Sequence, residues 1–460
     1  MNFEFLKKGN LVFLLFITVT TLFIYTSDLP PQQAHTLFIT LITASLWITE
    51  KLPIPVSSLI PIAAFPLFGI LDSKLVAQSY GSPLILLLLG GFMLSIAMSS
   101  TRAHKLIANK IIQTIGTGSQ AKILLSFMLT AALLSMWISN TATTLMLLPI
   151  AYAILEKNSS RNFGIILLLG IAYAASIGGI ATPIGTPPNL ILIQAMQEAN
   201  MPDIGFISWM QQVLPILLVI FPIAYFYLRS HLEDMPIDYQ VEDMSITSSQ
   251  TKVLLVFLVT AILWMTRVEP FGGWKSLLNL PYANDASVAL LAVVVLFTLR
   301  NKAREPIITW EAVNKIPWGI LLLFAGGITI ATAFRETGLS ESIANNLMFL
   351  NNFPLWMIVG FICLFVTFLT EITSNTATTA VLMPILLSTG HALNIDPMAL
   401  MLPATISASF AFMMPVATAP NAIIFSSGMV PIKKMMRIGL LLNLLGAIIL
   451  TVYFSIINNP

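Results

Sequence analysis

Ser139-Asn140-Thr141-Ala142-Thr143-Thr144 lies in the middle of an apolar stretch, and the same six residues return as Ser374-Asn375-Thr376-Ala377-Thr378-Thr379. None of these side chains is charged. Ser and Thr hydroxyls and Asn carbonyl oxygens are hard, neutral ligands for an alkali cation such as Na⁺, while the Asn amide and Thr hydroxyl donate to a carboxylate. A turn between two helix ends adds main-chain carbonyls from one arm and N–H groups from the other, the latter at the positive end of a helix dipole. One short motif can thus hold both signs of charge. Each copy is followed by a proline-rich loop, Pro183-Ile184-Gly185-Thr186-Pro187-Pro188-Asn189 and Pro415-Val416-Ala417-Thr418-Ala419-Pro420-Asn421. Proline cannot donate a main-chain hydrogen bond and costs about 3 kcal/mol inside a helix. These segments therefore predict broken helices, with carbonyls freed around Gly185-Thr186 and Ala417-Thr418 beside the two turns. Gly185 also permits close backbone approach.

A lone Ser-Asn-Thr reads most simply as glue between membrane helices. Two copies, each followed by a broken helix, do not. For Gly90-Gly91 and Gly326-Gly327, close helix packing is the better reading. Glu371, three residues before the second motif, is the only acid deep in an apolar run. The sequence leaves open whether it acts in function or only accepts hydrogen bonds.

The elements that position these residues follow from composition. Of 460 residues, 57% are hydrophobic and 9% are charged, with a mean hydropathy of +0.88. A soluble chain carries roughly 25% charged residues, so this one is a polytopic membrane protein with short loops. The net charge of +2 leaves no basic field for nucleic acid, the single Cys363 excludes an internal disulfide framework, and the four histidines form no metal cluster. Eleven spans are expected, at roughly 10–27, 36–49, 54–71, 82–101, 163–198, 207–228, 252–266, 286–299, 316–334, 396–429 and 434–457. Two further apolar segments, about 120–157 and 355–390, carry the motifs and read as re-entrant hairpins. The first apolar run is taken as a retained span because Thr26-Ser27-Asp28-Leu29-Pro30 offers no small-residue cleavage site.

With the N-terminus cytoplasmic, most of the 22 Lys and Arg fall on the inside, leaving Lys74, Arg267, Lys275 and Arg335 outside. The C-terminus then lies outside. Residues 102–118 read as an amphipathic helix on the cytoplasmic surface, and the acidic stretch 229–251 as a solvated connector. The two motifs are 235 residues apart, the Gly-Gly pairs 236 and the proline loops 232. This is an internal repeat, 36–228 and 252–457, following an N-terminal segment at 1–35. Each copy has five crossings and one hairpin, so the second must be inverted. The expected fold is an all-α membrane protein of two inverted-topology repeats, the architecture of secondary transporters.

Both Ser-Asn-Thr motifs, both Pro-Asn loops and Trp47-Ile48-Thr49-Glu50-Lys51-Leu52-Pro53-Ile54-Pro55-Val56 resemble the divalent-anion/sodium symporter family, particularly its bacterial dicarboxylate carriers, over nearly the whole chain. The resemblance implies a homodimer in the cell (inner) membrane with an elevator mechanism. Scaffold spans would occupy 36–101 and 252–334, and transport-domain hairpins and spans 120–228 and 355–457. It implies one Na⁺ site at Ser135, Ser139, Asn140 and Gly185 and another at Thr370, Thr373, Asn375 and Ala417. Substrate contacts would come from Asn140, Thr141, Asn375, Thr376, Thr186 and Thr418, with Ala419 standing where the family has a proline. Both motifs end in Thr, which within the family favours di- or tricarboxylate over sulfate.

Energetics point to cation coupling independently. Each charge moved against the membrane potential costs about 2.3 kcal/mol per 100 mV, so a dianion faces about 4.6 kcal/mol. Two co-transported Na⁺ cancel that and a third drives uptake. The expected function is Na⁺-coupled import of C4-dicarboxylates (succinate, malate, fumarate). The alternatives are a dicarboxylate exchanger of the same fold, or a citrate or sulfate symporter. No paired catalytic constellation such as His-Glu-x-x-His is present, which argues against an enzyme.

Overall fold

The computed structural model describes residues 29–49, 51–156, 160–202, 204–233, 235–237, 245–269 and 272–457, together with Thr18 and Ile24. The expected span at 10–27 and the most acidic part of the connector (Asp234, Asp238, Glu242, Asp243) lie outside the described residues. Among those described, the regular structure is helical, without a β-strand.

The first group of helices is α1 (Pro31–Thr49), α2 (Ile54–Ser57), α3 (Leu59–Leu67), α4 (Ser73–Tyr80) and α5 (Pro83–Ser100), followed by α6 (Ala103–Ile115). Ser82 caps α5 by accepting the Leu84 N–H at 3.3 Å, and Pro83 occupies the first turn, where no donor is needed. The Trp47 indole donates to the Ser58 hydroxyl at 3.0 Å and so ties α1 to the start of α3. In α6, Ala103, Ala108 and Ile112 are buried while Lys110, Gln113 and Thr114 are exposed, matching the expected amphipathic helix.

The first hairpin is α7 (Gln120–Ser135) and α8 (Asn140–Glu156), and the first broken helix is α9 (Arg161–Gly179) and α10 (Pro187–Glu198), followed by α11 (Phe206–Arg229). After α12 (Ser248–Met265), α13 (Gly273–Leu277), α14 (Asp285–Thr298), α15 (Trp318–Thr337) and α16 (Leu339–Asn346), the pattern returns. The second hairpin is α17 (Leu355–Thr370) and α18 (Asn375–Ala392), the second broken helix α19 (Met398–Ala408) and α20 (Ala419–Ser426), and the last helix α21 (Ile432–Ile457).

Every expected span beyond the first coincides with helix, although the α2–α3 pair ends at Leu67, short of the 54–71 stretch expected for it. Among the described residues, six helical stretches are long and apolar enough to cross a membrane, including Ser73–Ser100, Phe206–Arg229 and Ile432–Ile457. Their outward faces are apolar: Leu218 (68% exposed) and Phe226 on α11, Leu255 and Leu258 on α12, Ile448 and Val452 on α21. Apolar surface of that extent suits lipid rather than water. In contrast α9 is buried from Phe163 through Gly179, as expected of a helix apolar all round.

Packing joins the two copies crosswise. α10 packs on α18 and α19, and α20 packs on α8 and α9. Each second half-helix thus sits on the other copy's hairpin and first half-helix. Three of the four paired glycines pack closely: a Cβ at Gly90 would meet the Ala289 Cβ at 2.5 Å, one at Gly326 the Ser58 carbonyl oxygen at 2.8 Å and one at Gly327 the Ala380 Cβ at 3.0 Å, whereas Gly91 faces open space, contrary to its expected packing role.

Candidate substrate and cation sites

Both hairpin turns and both proline loops line a single cavity of about 680 Å³. Ser139, Asn140 and Thr141 come from the first turn, Ser374, Asn375 and Thr376 from the second. Gly185 and Thr186 come from the first loop and Ala417, Thr418 and Ala419 from the second. Residues 235 apart in sequence therefore share one wall. No charged side chain lines the cavity among the described residues.

Its positive potential comes from the backbone. α8 begins at Asn140, α18 at Asn375, α10 at Pro187 and α20 at Ala419, and all four residues line the cavity. Four helix N-termini therefore meet there, each carrying roughly half a positive charge. Short polar residues make these starts. Ser139 accepts the Ala142 N–H at 3.2 Å, Ser374 accepts that of Ala377 at 3.5 Å, and Thr418 accepts that of Asn421 at 3.2 Å. Capping already engages these three side-chain oxygens.

Behind the first turn, oxygens crowd together. The Ser135 hydroxyl donates to Asn140 Oδ1. A Cβ on Gly185 would come within 2.4 Å of the Gly179 carbonyl oxygen and 3.0 Å of the Ser135 carbonyl oxygen, and one on Gly179 within 2.6 Å of Asn140 Oδ1. Only glycine fits at Gly185. The Ser135 and Gly179 carbonyl oxygens, at the C-terminal ends of α7 and α9, and the neutral Asn140 Oδ1 beside them suit an alkali cation.

Behind the second turn the wiring differs. Asn375 Oδ1 is buried without a protein partner. Thr370 donates to the Thr367 carbonyl at 3.1 Å; the Thr373 hydroxyl bonds the Leu369 carbonyl at 2.8 Å and shares a 2.6 Å hydrogen bond with Thr378. Ser135, Thr370 and Thr373 are buried and do not line the cavity. Glu371 accepts hydrogen bonds from the main-chain N–H groups of Met413 (2.9 Å) and Met414 (2.7 Å) and from Asn443 Nδ2 (2.6 Å). The acid that the sequence left open thus holds the second loop.

The rest of the wall comes from residues that sequence reasoning missed. Gly91, Phe92 and Ser95 of α5, Trp137 in the first turn, and Gly319, Ile320 and Leu323 of α15 line it. Ile54 and Pro55 also line it, from the segment that carries the third shared motif, which is the one signal that pointed there.

Comparison with known proteins bears on this arrangement. The family model for citrate transporters matches residues 44–402. A sodium-dependent dicarboxylate transporter, SdcS, of Staphylococcus saprophyticus is 37% identical over 97% of this chain and 90% of its own length. Its counterpart in Staphylococcus aureus is 38% identical over 97% of this chain and 89% of its own length. Among solved structures, the YdaH transporter of Alcanivorax borkumensis superposes with a TM-score of 0.58, at 13% identity, covering 93% of this chain and 99% of that one. That likeness is one of fold alone, a polytopic all-helical architecture. With the family model matched over most of its length and relatives above one-third identity end to end, the chain belongs to the citrate-transporter family, within the divalent-anion/sodium symporters, and is a transporter rather than an enzyme.

Proposed function

We propose that the protein couples inward Na⁺ movement to uptake of C4-dicarboxylates such as succinate, malate and fumarate. The observation that carries this is the meeting of both Ser-Asn-Thr turns and four helix N-termini at one cavity without charged side chains. The staphylococcal relatives named as sodium-dependent dicarboxylate transporters support the same ion and cargo.

In this reading each turn holds one carboxylate. Asn140 and Thr141 donate to one end of the substrate and Asn375 and Thr376 to the other, with Thr186 and Thr418 beside them and small Ala419 leaving room. One Na⁺ sits among Ser135, Ser139, Asn140 and Gly185, the other among Thr370, Thr373, Asn375 and Ala417. Lacking Lys or Arg, the cavity leaves a dianion neutralised only by helix ends and cations. Cations that bind first would fix the turns and make the site electrically ready for substrate.

The crosswise packing of α10 on α18–α19 and of α20 on α8–α9 supports two inverted repeats sharing one site. On the family pattern, α7–α11 and α17–α21 form a unit that moves elevator-fashion against a scaffold of α1–α5 and α12–α15, and the scaffold pairs two copies into a homodimer. The N-terminus is cytoplasmic and the C-terminus outside.

Purified protein in proteoliposomes tests the coupling. The expected result is labelled succinate uptake driven by an inward Na⁺ gradient into vesicles free of internal dicarboxylate. Uptake that requires internal dicarboxylate and ignores Na⁺ would assign exchange instead. Uptake of citrate or sulfate without succinate would sink the C4 assignment.

A further inference from the structure

The residues that end the two proline loops share a hydrogen-bond pattern that cargo binding does not use. Asn189 Nδ2 donates to the carbonyls of Gly179 at 3.1 Å and Thr182 at 2.8 Å. Asn421 Nδ2 donates to the carbonyls of Ala411 at 2.9 Å and Met414 at 3.1 Å. Each of these residues lies 232 positions from its counterpart. The carbonyl held at the far end of each pair has a second donor. Thr182 also accepts the Gly185 N–H at 3.3 Å, and Met414 also accepts the Ala417 N–H at 3.2 Å. One amide therefore clamps the unwound chain at the turn that places Gly185, and the other does so at the turn that places Ala417.

Both asparagines are fully buried, and Oδ1 of each has no hydrogen-bond partner. An unpaired acceptor in a dry interior is unfavourable. An apolar side chain of the same shape would avoid it but would supply no donor. The amide serves here because one nitrogen offers two N–H groups to two carbonyls that no helical amide reaches. The recurrence of both the bonds and the orphan oxygen in the two copies of the repeat, whose other side chains differ in part, singles out the donor end as the working part.

We infer that Asn189 and Asn421 are positioning residues for the two cation sites: each fixes the loop so that its carbonyls stand against the neighbouring Ser-Asn-Thr turn. The inference rests on the Na⁺ sites proposed above. The first loop displays the link directly. The Gly179 carbonyl that Asn189 holds lies within 2.4 Å of where a Gly185 Cβ would be, and Gly179 itself abuts Asn140 Oδ1. Neither asparagine lines the cavity, so neither touches substrate.

The experiment measures succinate uptake by the reconstituted full-length protein as a function of Na⁺, at saturating succinate, for Asn189→Leu and Asn421→Leu. The Na⁺ concentration for half-maximal uptake is expected to rise about tenfold in each, as when a group that holds a metal's ligands is removed. The rate at saturating Na⁺ is expected to stay within about threefold of wild type. An unchanged Na⁺ half-saturation in a variant that melts like wild type overturns the inference. So does a fall in maximal rate with unaltered Na⁺ dependence, which is what lost packing alone produces. If the Leu variants do not fold, Asn189→Ser and Asn421→Ser, each keeping one donor, decide by the same measure. Ser176→Ala, at another buried oxygen without a partner, should leave Na⁺ dependence at the wild-type value. Wild-type uptake indifferent to Na⁺ would remove the cation reading itself, and the clamp with it, a result distinct from any variant outcome.

Discussion

Glu371 Oε2 accepts the main-chain N–H of Met414 at 2.7 Å and so joins the second hairpin turn to the loop that interrupts the second broken helix. The first copy makes the same join with different atoms: the Thr182 hydroxyl donates to the Met136 carbonyl. Met136 corresponds to Glu371, and Thr182 to Met414, at the repeat offsets. A carboxylate can sit deep in an apolar run without a cationic partner because three N–H groups supply its positive charge.

Removing that carboxylate should therefore cost stability. Glu371→Leu leaves the Met413 and Met414 N–H groups and Asn443 Nδ2 unpaired, at about 1–3 kcal/mol for each buried donor. Glu371→Gln keeps one accepting oxygen and should lie between. Thermal melting in detergent is expected to rank wild type above Gln above Leu. A Leu variant that melts with wild type would show that the network contributes nothing.

The two motif asparagines should respond differently to truncation. Asn140 Oδ1 takes the Ser135 hydroxyl, whereas Asn375 Oδ1 has no partner. Asn140→Ala should lower stability by about 1 kcal/mol for the lost hydrogen bond, while Asn375→Ala should leave it unchanged or raise it. Both should abolish Na⁺-driven succinate uptake in protein that remains folded, since each removes a proposed cation ligand and a substrate donor. Uptake at wild-type rates in either variant would break the site assignment, and melting curves shifted in the opposite order would break the account of their wiring.

The core of the site was legible because it is written twice. Identical hexapeptides and similar proline loops mark the turns, and polar residues within apolar runs stand out in composition alone. Trp137 gave no such signal, because an aromatic in a membrane segment reads as filler until the fold brings it to the cavity wall. Gly91 read as packing together with Gly90. Only Gly90 is packed tightly, against Ala289, while Gly91 has open space where a side chain would go and lines the cavity. The partners of Glu371, Asn189 and Asn421 are mostly main-chain groups, which residue identity does not mark. Ser135, Thr370 and Thr373 came through the family pattern, and the structure places them behind the turns, where sequence spacing alone does not single them out.

Gly185, hemmed in by backbone, and Gly91, facing open space, give paired substitutions. Gly185→Ala puts a methyl group 2.4 Å from the Gly179 carbonyl oxygen and 3.0 Å from that of Ser135. Neither is a flexible side-chain end, so the loop must shift. Uptake should fall more than about tenfold at fixed Na⁺, with a raised Na⁺ requirement. Gly91→Ala meets nothing within 4 Å, and uptake should stay within about threefold of wild type. Equal effects in uptake assays would mean that steric room around the first loop is not what matters.

Relative motion of the two halves can be read from cysteine reactivity. Ile320 on α15 belongs to the proposed scaffold and Val416 to the second loop of the moving unit, and both line the cavity. The native Cys363 is buried and should add no background. Val416 is 73% exposed, so a reagent in the cavity can reach it. Residues at the α15 N-terminus lie near Lys315, on the proposed cytoplasmic side. An impermeant maleimide should therefore label Ile320→Cys from the cytoplasmic face alone. If the loop travels across the membrane with its cargo, Val416→Cys should become reachable from either face, with Na⁺ and succinate shifting the balance. Labelling of Val416→Cys from one face only, under every ion and substrate condition, would rule out an elevator while leaving the static site intact. Labelling of Ile320→Cys from outside alone would instead invert the orientation inferred from the Lys and Arg positions.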